Sequence, residues 1–172
     1  YMAYGPDFAS RLNGIFALAI WDGAERRLVL CRDRVGVKPL FYTEKGRTLV
    51  FGSEPKALFC HPQVMPEADL DSFREIFGIG PARTPGCGVF KGIKEVKPGC
   101  LAVFSPEGFR EFPYWSLTAR PHTDSYPETV ETGSFLLRDA VKRQLVSDVP
   151  VCSFLSGGVD SSAVTAIASG FL

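Results

Sequence analysis

The chain has 172 residues, 45% of them apolar, enough for one ordinary domain or two small or incomplete ones and too apolar for a disordered segment. Nineteen Lys and Arg balance nineteen Asp and Glu for a formal net charge of +0, so no global field recruits nucleic acid or an anionic membrane. The longest apolar run, Ile15 to Trp21, is far short of the ~20 residues of a membrane span, and no basic stretch with an apolar core marks the N-terminus; the chain reads as soluble and cytoplasmic.

Residues 11–53 follow a strand, turn, strand pattern. Ile15 to Trp21 is apolar on both faces, as expected of a strand covered on both sides, and Asp22-Gly23 supplies turn chemistry that reverses it into Leu28 to Cys31. Leu40 to Tyr42 and Leu49 to Phe51 flank a polar turn containing Gly46 and read as a second hairpin. Pro55 to Phe59 reads as a short helix with Pro at its start, and Asp69 to Phe77 as another with Asp69 as its cap. Residues 78–88, rich in Gly and Pro, form a loop. Short extended runs follow near Gly88 to Phe90 and Ile93 to Val96, then Leu101 to Phe104, a turn at Ser105 to Gly108, and Arg110 to Phe112. Phe41, Tyr42, Phe51 and Trp115 are expected in the core.

The stretch from Thr118 to Pro127 lacks apolar periodicity and reads as a linker. Beyond it the period changes. Leu137, Ala140, Val141 and Leu145 recur at helical spacing and Asp139 stands four residues before Arg143, so Glu128 to Val146 is predicted as an amphipathic helix. Pro150 to Leu155 is predicted as a strand running into Ser156-Gly157-Gly158-Val159-Asp160-Ser161-Ser162, and Ala163 to Ala168 as a second helix. Helix, strand, glycine loop, helix is the opening of an α/β domain with a parallel sheet. The chain ends at Leu172, and one strand with two helices cannot bury such a sheet, so the polypeptide reads as a piece of something longer.

The glycine loop carries the chemistry. Gly157 and Gly158 can take positive φ and bring backbone amides close to an anion, and Ser161 and Ser162 stand at the start of a helix whose dipole favours negative charge. Asp160 adds a carboxylate suited to a Mg²⁺ ion bridging protein and phosphate oxygens. The spacing is neither the G-x-x-x-x-G-K-[ST] phosphate loop nor the G-x-G-x-x-G dinucleotide fingerprint.

Ser156 to Ser162 (SGGVDSS), preceded by Val146 to Pro150 (VSDVP), resembles the pyrophosphate loop of the ATP-pyrophosphatase synthetases, and the lead-in is similar to that of the glutamine-hydrolysing asparagine synthetase family. Leu12 to Asp22, Arg32 to Tyr42 (RDRVGVKPLFY) and Ser53 to Leu58 (SEPKAL) resemble that family's signatures in the same order. The resemblance implies an α+β part followed by an α/β part. Residues 1–117 would be the C-terminal portion of an N-terminal-nucleophile glutaminase domain, an αββα fold with antiparallel sheets. Residues 118–127 would be the linker and residues 128–172 the start of a parallel-sheet ATP-pyrophosphatase domain. It implies glutamine, aspartate and ATP as small-molecule substrates, Mg²⁺ as cofactor, a homodimer, and activation of the aspartate β-carboxyl as an acyl-adenylate that ammonia attacks. Ser156, Gly157, Gly158, Asp160, Ser161 and Ser162 would hold the pyrophosphate portion of ATP, Asp160 would bind the metal, and Phe154 would lie against the nucleotide.

The family's glutaminase nucleophile is a cysteine at the mature N-terminus, followed by N-G-E and G-S-D segments, whereas this chain opens Tyr1-Met2-Ala3 and contains neither. No catalytic residue is therefore assigned, and the 172 residues alone are expected to complete neither half-reaction. Five scattered cysteines, Cys31, Cys60, Cys87, Cys100 and Cys152, form no zinc pattern and read as reduced thiols without a nucleophilic role. His61 and His122 read as turn residues, and Arg32, Asp33 and Arg34 as structural pairs more than an anion site. Two other readings stay open: a related enzyme activating another carboxylate, as in β-lactam closure, and a truncated non-catalytic binding module.

Overall fold

A computed structural model describes all 172 residues, which divide into two compact units, Tyr1–Thr118 and Ala119–Leu172. In the first unit, β1 (Ala17–Asp22) turns through residues 23–26 into β2 (Arg27–Arg32), with Asp22 opposite Arg27 and Ala17 opposite Arg32. Further along, β3 (Phe41–Lys45) and β4 (Thr48–Gly52) form the second hairpin, followed by the helices α2 (Pro55–Leu58) and α3 (Leu70–Ile79). The strands β5 (Lys94–Glu95), β6 (Cys100–Ser105) and β7 (Gly108–Pro113) complete two antiparallel sheets, ordered β1-β2-β6-β7 and β4-β3-β5.

Strand alternation explains how the sheets stack. Leu30 and Ala102 are partners in register and turn toward the side where Leu40, Tyr42, Val96 and Cys100 pack, so the two sheets bury their facing surfaces together. Tyr42 stacks on Phe109 there, ring centroids 4.5 Å apart. Val29, Cys31 and Leu101 turn to the opposite face and are covered by Phe8 and Ala9 of the short helix α1 (Phe8–Arg11). Phe41 on the far side of β3 meets Leu58, Val64 and Ile93. The order is helix, sheet, sheet, helix, the antiparallel αββα arrangement that the resemblance implies. Each fully buried aliphatic side chain contributes about 1.5–3 kcal/mol of burial free energy, and β2, β3 and β6 supply most of them.

Departures from the sequence reading follow from position in the sheet. β2 is covered on both faces as expected, but β1 is an edge strand paired only to β2; Ile15 lies before it and is 46% exposed, and Trp21 is 64% exposed. Phe51, expected in the core, lies on the edge strand β4 and is exposed, and Trp115 is half-buried, whereas Phe41 and Tyr42 on the central strand β3 are buried. The run near Gly88 to Phe90 forms a turn, and only Lys94–Glu95 of the following run pairs as a strand. α3 starts where its cap predicts: Asp69 accepts the Ser72 amide at 2.9 Å and Ser72 Oγ accepts the Asp69 amide at 3.1 Å.

A network of charge fixes the loop after β2. Arg32 pairs with Glu95 at 2.9 Å and donates to the carbonyls of Lys38, Val96 and Gly36 at 2.7, 2.7 and 2.8 Å. Asp33 accepts the amides of Val37 and Lys38, both at 2.9 Å, and Arg34 donates to the carbonyls of Leu12 and Ser10 at 2.7 and 3.1 Å. Gly99 lies behind this loop with φ +64°, and a Cβ built there would stand 2.6 Å from the Trp115 carbonyl oxygen, so only glycine fits.

The second unit contains α4 (Tyr126–Gln144) and α5 (Val159–Ser169). Helix α4 begins two residues before the expected Glu128, because Ser125 and Glu128 form a capping box and Pro127 suits the first turn. The Asp139–Arg143 pair forms at 2.6 Å. The expected strand Pro150 to Leu155 is absent: these residues have no regular structure, since no other extended segment of this unit runs beside them to accept ladder hydrogen bonds. The parallel sheet expected from the sequence is accordingly not present in these residues.

Candidate functional site

The loop from Ser156 to Gly158 enters α5 through a backbone that the two glycines set. Gly157 takes φ +83°, in the left-handed region, and Gly158 caps the helix at φ −79°, ψ 162°. The capping residue has no side chain to satisfy the first amides, and the amides of Val159, Asp160 and Ser161 have no acceptor; the first one bonded is that of Ser162, to the Gly158 carbonyl at 3.1 Å. Open amides at the positive end of a helix of 11 residues form a cradle of the kind that suits an anion.

The serines line it. Ser156 Oγ and Ser161 Oγ stand 3.0 Å apart, and Ser161 Oγ also donates to the Gly158 carbonyl at 3.1 Å. A Cβ on Gly158 would lie 3.8 and 4.0 Å from these two hydroxyl oxygens, in ordinary van der Waals contact. Asp160 lies in the first turn of α5, and Ser162 beside it; both are exposed. The structure thus brings Ser156, Gly157, Gly158, Asp160, Ser161 and Ser162 into one turn. Phe154 is 95% exposed and borders a different feature, an apolar groove of about 600 Å³ shared with Val141, Leu145, Cys152 and Val164.

The donor set fits a magnesium ion held through one carboxylate and the oxygens of a bound phosphate. Asp160 supplies a hard oxygen ligand beside the open amides, and no group of three His, Cys, Asp or Glu side chains builds a separate metal cage.

The other candidates have structural partners. The guanidinium groups of Arg32 and Arg34 are occupied by backbone carbonyls and Glu95, which leaves them no free fork for an anion. His61 Nδ1 accepts the Gln63 amide at 3.3 Å, and His122 Nε2 lies 2.7 Å from Thr129 Oγ1. Burial pushes the Cys31 thiol up to about 12 and raises that of Cys100, so neither is a thiolate at neutral pH. All five cysteines are free.

A family model described as a glutamine amidotransferase domain matches residues 1–115, the segment holding both sheets. The chain belongs to the glutamine amidotransferase family. A second family model, asparagine synthase, matches residues 134–172, which include the cradle. The amidotransferase chain is 52% identical over 170 residues to asparagine synthetase [glutamine-hydrolyzing] 3 of Bacillus subtilis, covering 99% of this chain and 28% of that protein. It is 32% identical to an amidase of Gibberella zeae, over 98% of this chain and 25% of the amidase. It thus spans about a quarter of the length of these curated relatives. Among solved structures, a glutamine phosphoribosylpyrophosphate amidotransferase from B. subtilis is similar with a TM-score of 0.39 at 18% identity, covering 94% of this chain and 32% of that one. No helix is long and apolar enough to cross a membrane.

Proposed function

We propose that this amidotransferase chain is part of a glutamine-dependent asparagine synthetase, which converts aspartate, glutamine and ATP to asparagine, glutamate, AMP and pyrophosphate by way of a β-aspartyl-adenylate. The observation that carries the reading is the cradle of open amides at Val159, Asp160 and Ser161, inside a segment similar to asparagine synthases. The 52% identity to the B. subtilis asparagine synthetase supports aspartate as the carboxylate over the substrate of the less similar amidase. Residues 1–117 belong in this reading to the glutaminase domain, 118–127 to the linker, and 128–172 to the start of a parallel-sheet ATP-pyrophosphatase domain.

A carboxylate resists amidation because it has no good leaving group, and adenylation supplies one. The chain's part in that step is to receive the departing pyrophosphate: the amides of Val159 to Ser161 and the hydroxyls of Ser156, Ser161 and Ser162 donate to its oxygens as charge accumulates. Asp160 would hold Mg²⁺, which when bound would supply positive charge to offset the negative charge of the pyrophosphate. Phe154 offers an apolar surface against the nucleotide.

Pyrophosphate–ATP exchange in the intact protein tests the reading. Exchange that requires aspartate is expected, and Asp160→Asn should lower it by about 10²-fold while leaving glutamine hydrolysis unchanged. Exchange driven by another carboxylic acid and not by aspartate would establish the alternative substrate class; exchange insensitive to the Asp160 change would overturn the assignment of the loop.

A further inference from the structure

Three hairpin turns meet at one end of the two-sheet unit. The β1–β2 turn brings Arg26, the β3–β4 turn Gly46 and Arg47, and the β6–β7 turn Pro106, and between them opens a pocket of about 250 Å³ whose walls include Trp21, Glu44 and Phe104. The mechanism uses none of these residues.

The charged groups in this pocket have no ion-pair or side-chain hydrogen-bond partners among these 172 residues. Arg26, Arg47 and Glu44 form no ion pair within 4.0 Å and no side-chain hydrogen bond, unlike Arg32, Arg34 and Arg27, whose guanidinium groups are all engaged. The rim therefore holds two guanidinium groups against one carboxylate. Trp21, 64% exposed on the edge strand β1, lines the pocket beside them.

Arg26 supplies the second, independent observation. Its φ is +51°, in the left-handed region that disfavours any residue with a Cβ, and a four-residue hairpin turn ordinarily places glycine or asparagine there. The turn is otherwise well made, with Asp22 Oδ1 accepting the Glu25 amide at 3.1 Å. Backbone strain at a residue whose side chain makes no ion pair or hydrogen bond among these residues points to a role for that side chain.

We propose that this pocket binds a small monoanion with a flat apolar body, an aryl carboxylate in chemical class. The carboxylate pairs with Arg26 and Arg47, and the flat body lies against Trp21 and Phe104. The excess of one positive charge on the rim matches a single negative charge, and the volume admits one ring and its carboxylate.

Calorimetric titration of the intact protein with benzoate tests this, with acetate and benzyl alcohol as probes lacking the ring or the charge. Saturable benzoate binding in the millimolar range is expected, with both controls at least tenfold weaker. Arg47→Ala should weaken benzoate at least tenfold, and Arg26→Gly should do the same while leaving the thermal midpoint unchanged or higher, because glycine relieves the positive φ. Absence of saturable benzoate binding, acetate binding as tightly as benzoate, or benzoate affinity unchanged in both variants would overturn the proposal. The midpoint of the Arg26→Gly variant separates lost binding from lost folding.

Discussion

Asp33 is 1% exposed, and its environment sets two opposing effects on its proton. Burial pushes its carboxyl up, but the surrounding backbone hydrogen bonds, those of the Lys38 and Val37 amides foremost, together outweigh burial and hold it below the usual carboxylate value of 3.8. A folded-state value below the unfolded one means the unfolded chain binds the proton more readily. The stabilisation from Asp33 is therefore fully present above about pH 4 and is lost as pH falls below that through the folded value. Asp33→Asn would turn one amide toward an NH₂ group, so it should cost about 2 kcal/mol near neutral pH and abolish this part of the acid sensitivity. Urea midpoints of both proteins at neutral and at acid pH measure it: the gap should narrow at low pH, and a gap independent of pH would contradict the assignment. The R-D-R triplet was legible as structural because charges at a strand end orient a loop. What they orient was not, since Glu95 and Val96 lie far along the chain and no local pattern announces them. The turn at Ser156 to Ser162 was legible because its geometry is local: two glycines, a helix start and three serines close together in sequence.

At the scale of elements, the buried pair of Arg32 and Glu95 locks the loop after β2 of one sheet to β5 of the other, with both side chains 5% exposed. Glu95 also lies 3.5 Å from Arg83, whose guanidinium sits 5.3 Å from the Phe41 ring centre. Glu95→Gln removes the counterion from a guanidinium that its three carbonyl partners still hold in place, and breaking one side of a buried pair costs about 3–5 kcal/mol. The variant should unfold at a clearly lower denaturant midpoint; a change below about 1 kcal/mol would mean the carbonyls alone satisfy Arg32. The cap that local signals announced, Asp69, starts α3 as expected, whereas the Ser125–Glu128 capping box, which the sequence reading did not name, starts α4 two residues before Glu128. Strand burial did not match expectation, because Ile15 to Trp21 is as apolar as a central strand and only sheet order reveals that β1 is an edge. Pro150 to Leu155 failed for the related reason that a strand exists only beside a partner.

Across the whole chain the two units differ in how they hold themselves together. The first buries Val29, Leu30, Cys31, Leu101 and Ala102 to 1% exposure or less in paired central strands. The second buries only Val141 and Ala168, while Phe135, Leu136, Phe154 and Leu155 remain more than half exposed. With so little apolar surface removed from water, its helices rely on their own ends and side-chain pairs. Helix α4 has 19 residues, a capping box and the Asp139–Arg143 pair. Helix α5 has 11 residues and no side-chain cap, below the ~12–15 residues at which an isolated helix becomes even marginal in water. Native-state hydrogen exchange on the 172-residue chain should therefore rank the amides in three tiers. Those of Leu30 and Ala102 should be the slowest, those in the middle of α4 intermediate, and those of α5 close to unprotected. Adding ATP with Mg²⁺ should slow the amides of α5 if the cradle closes on phosphate in this chain, without altering those of β2. Amides in α5 as slow as those of β2 before any addition would show that the second unit folds cooperatively on its own, against the burial pattern.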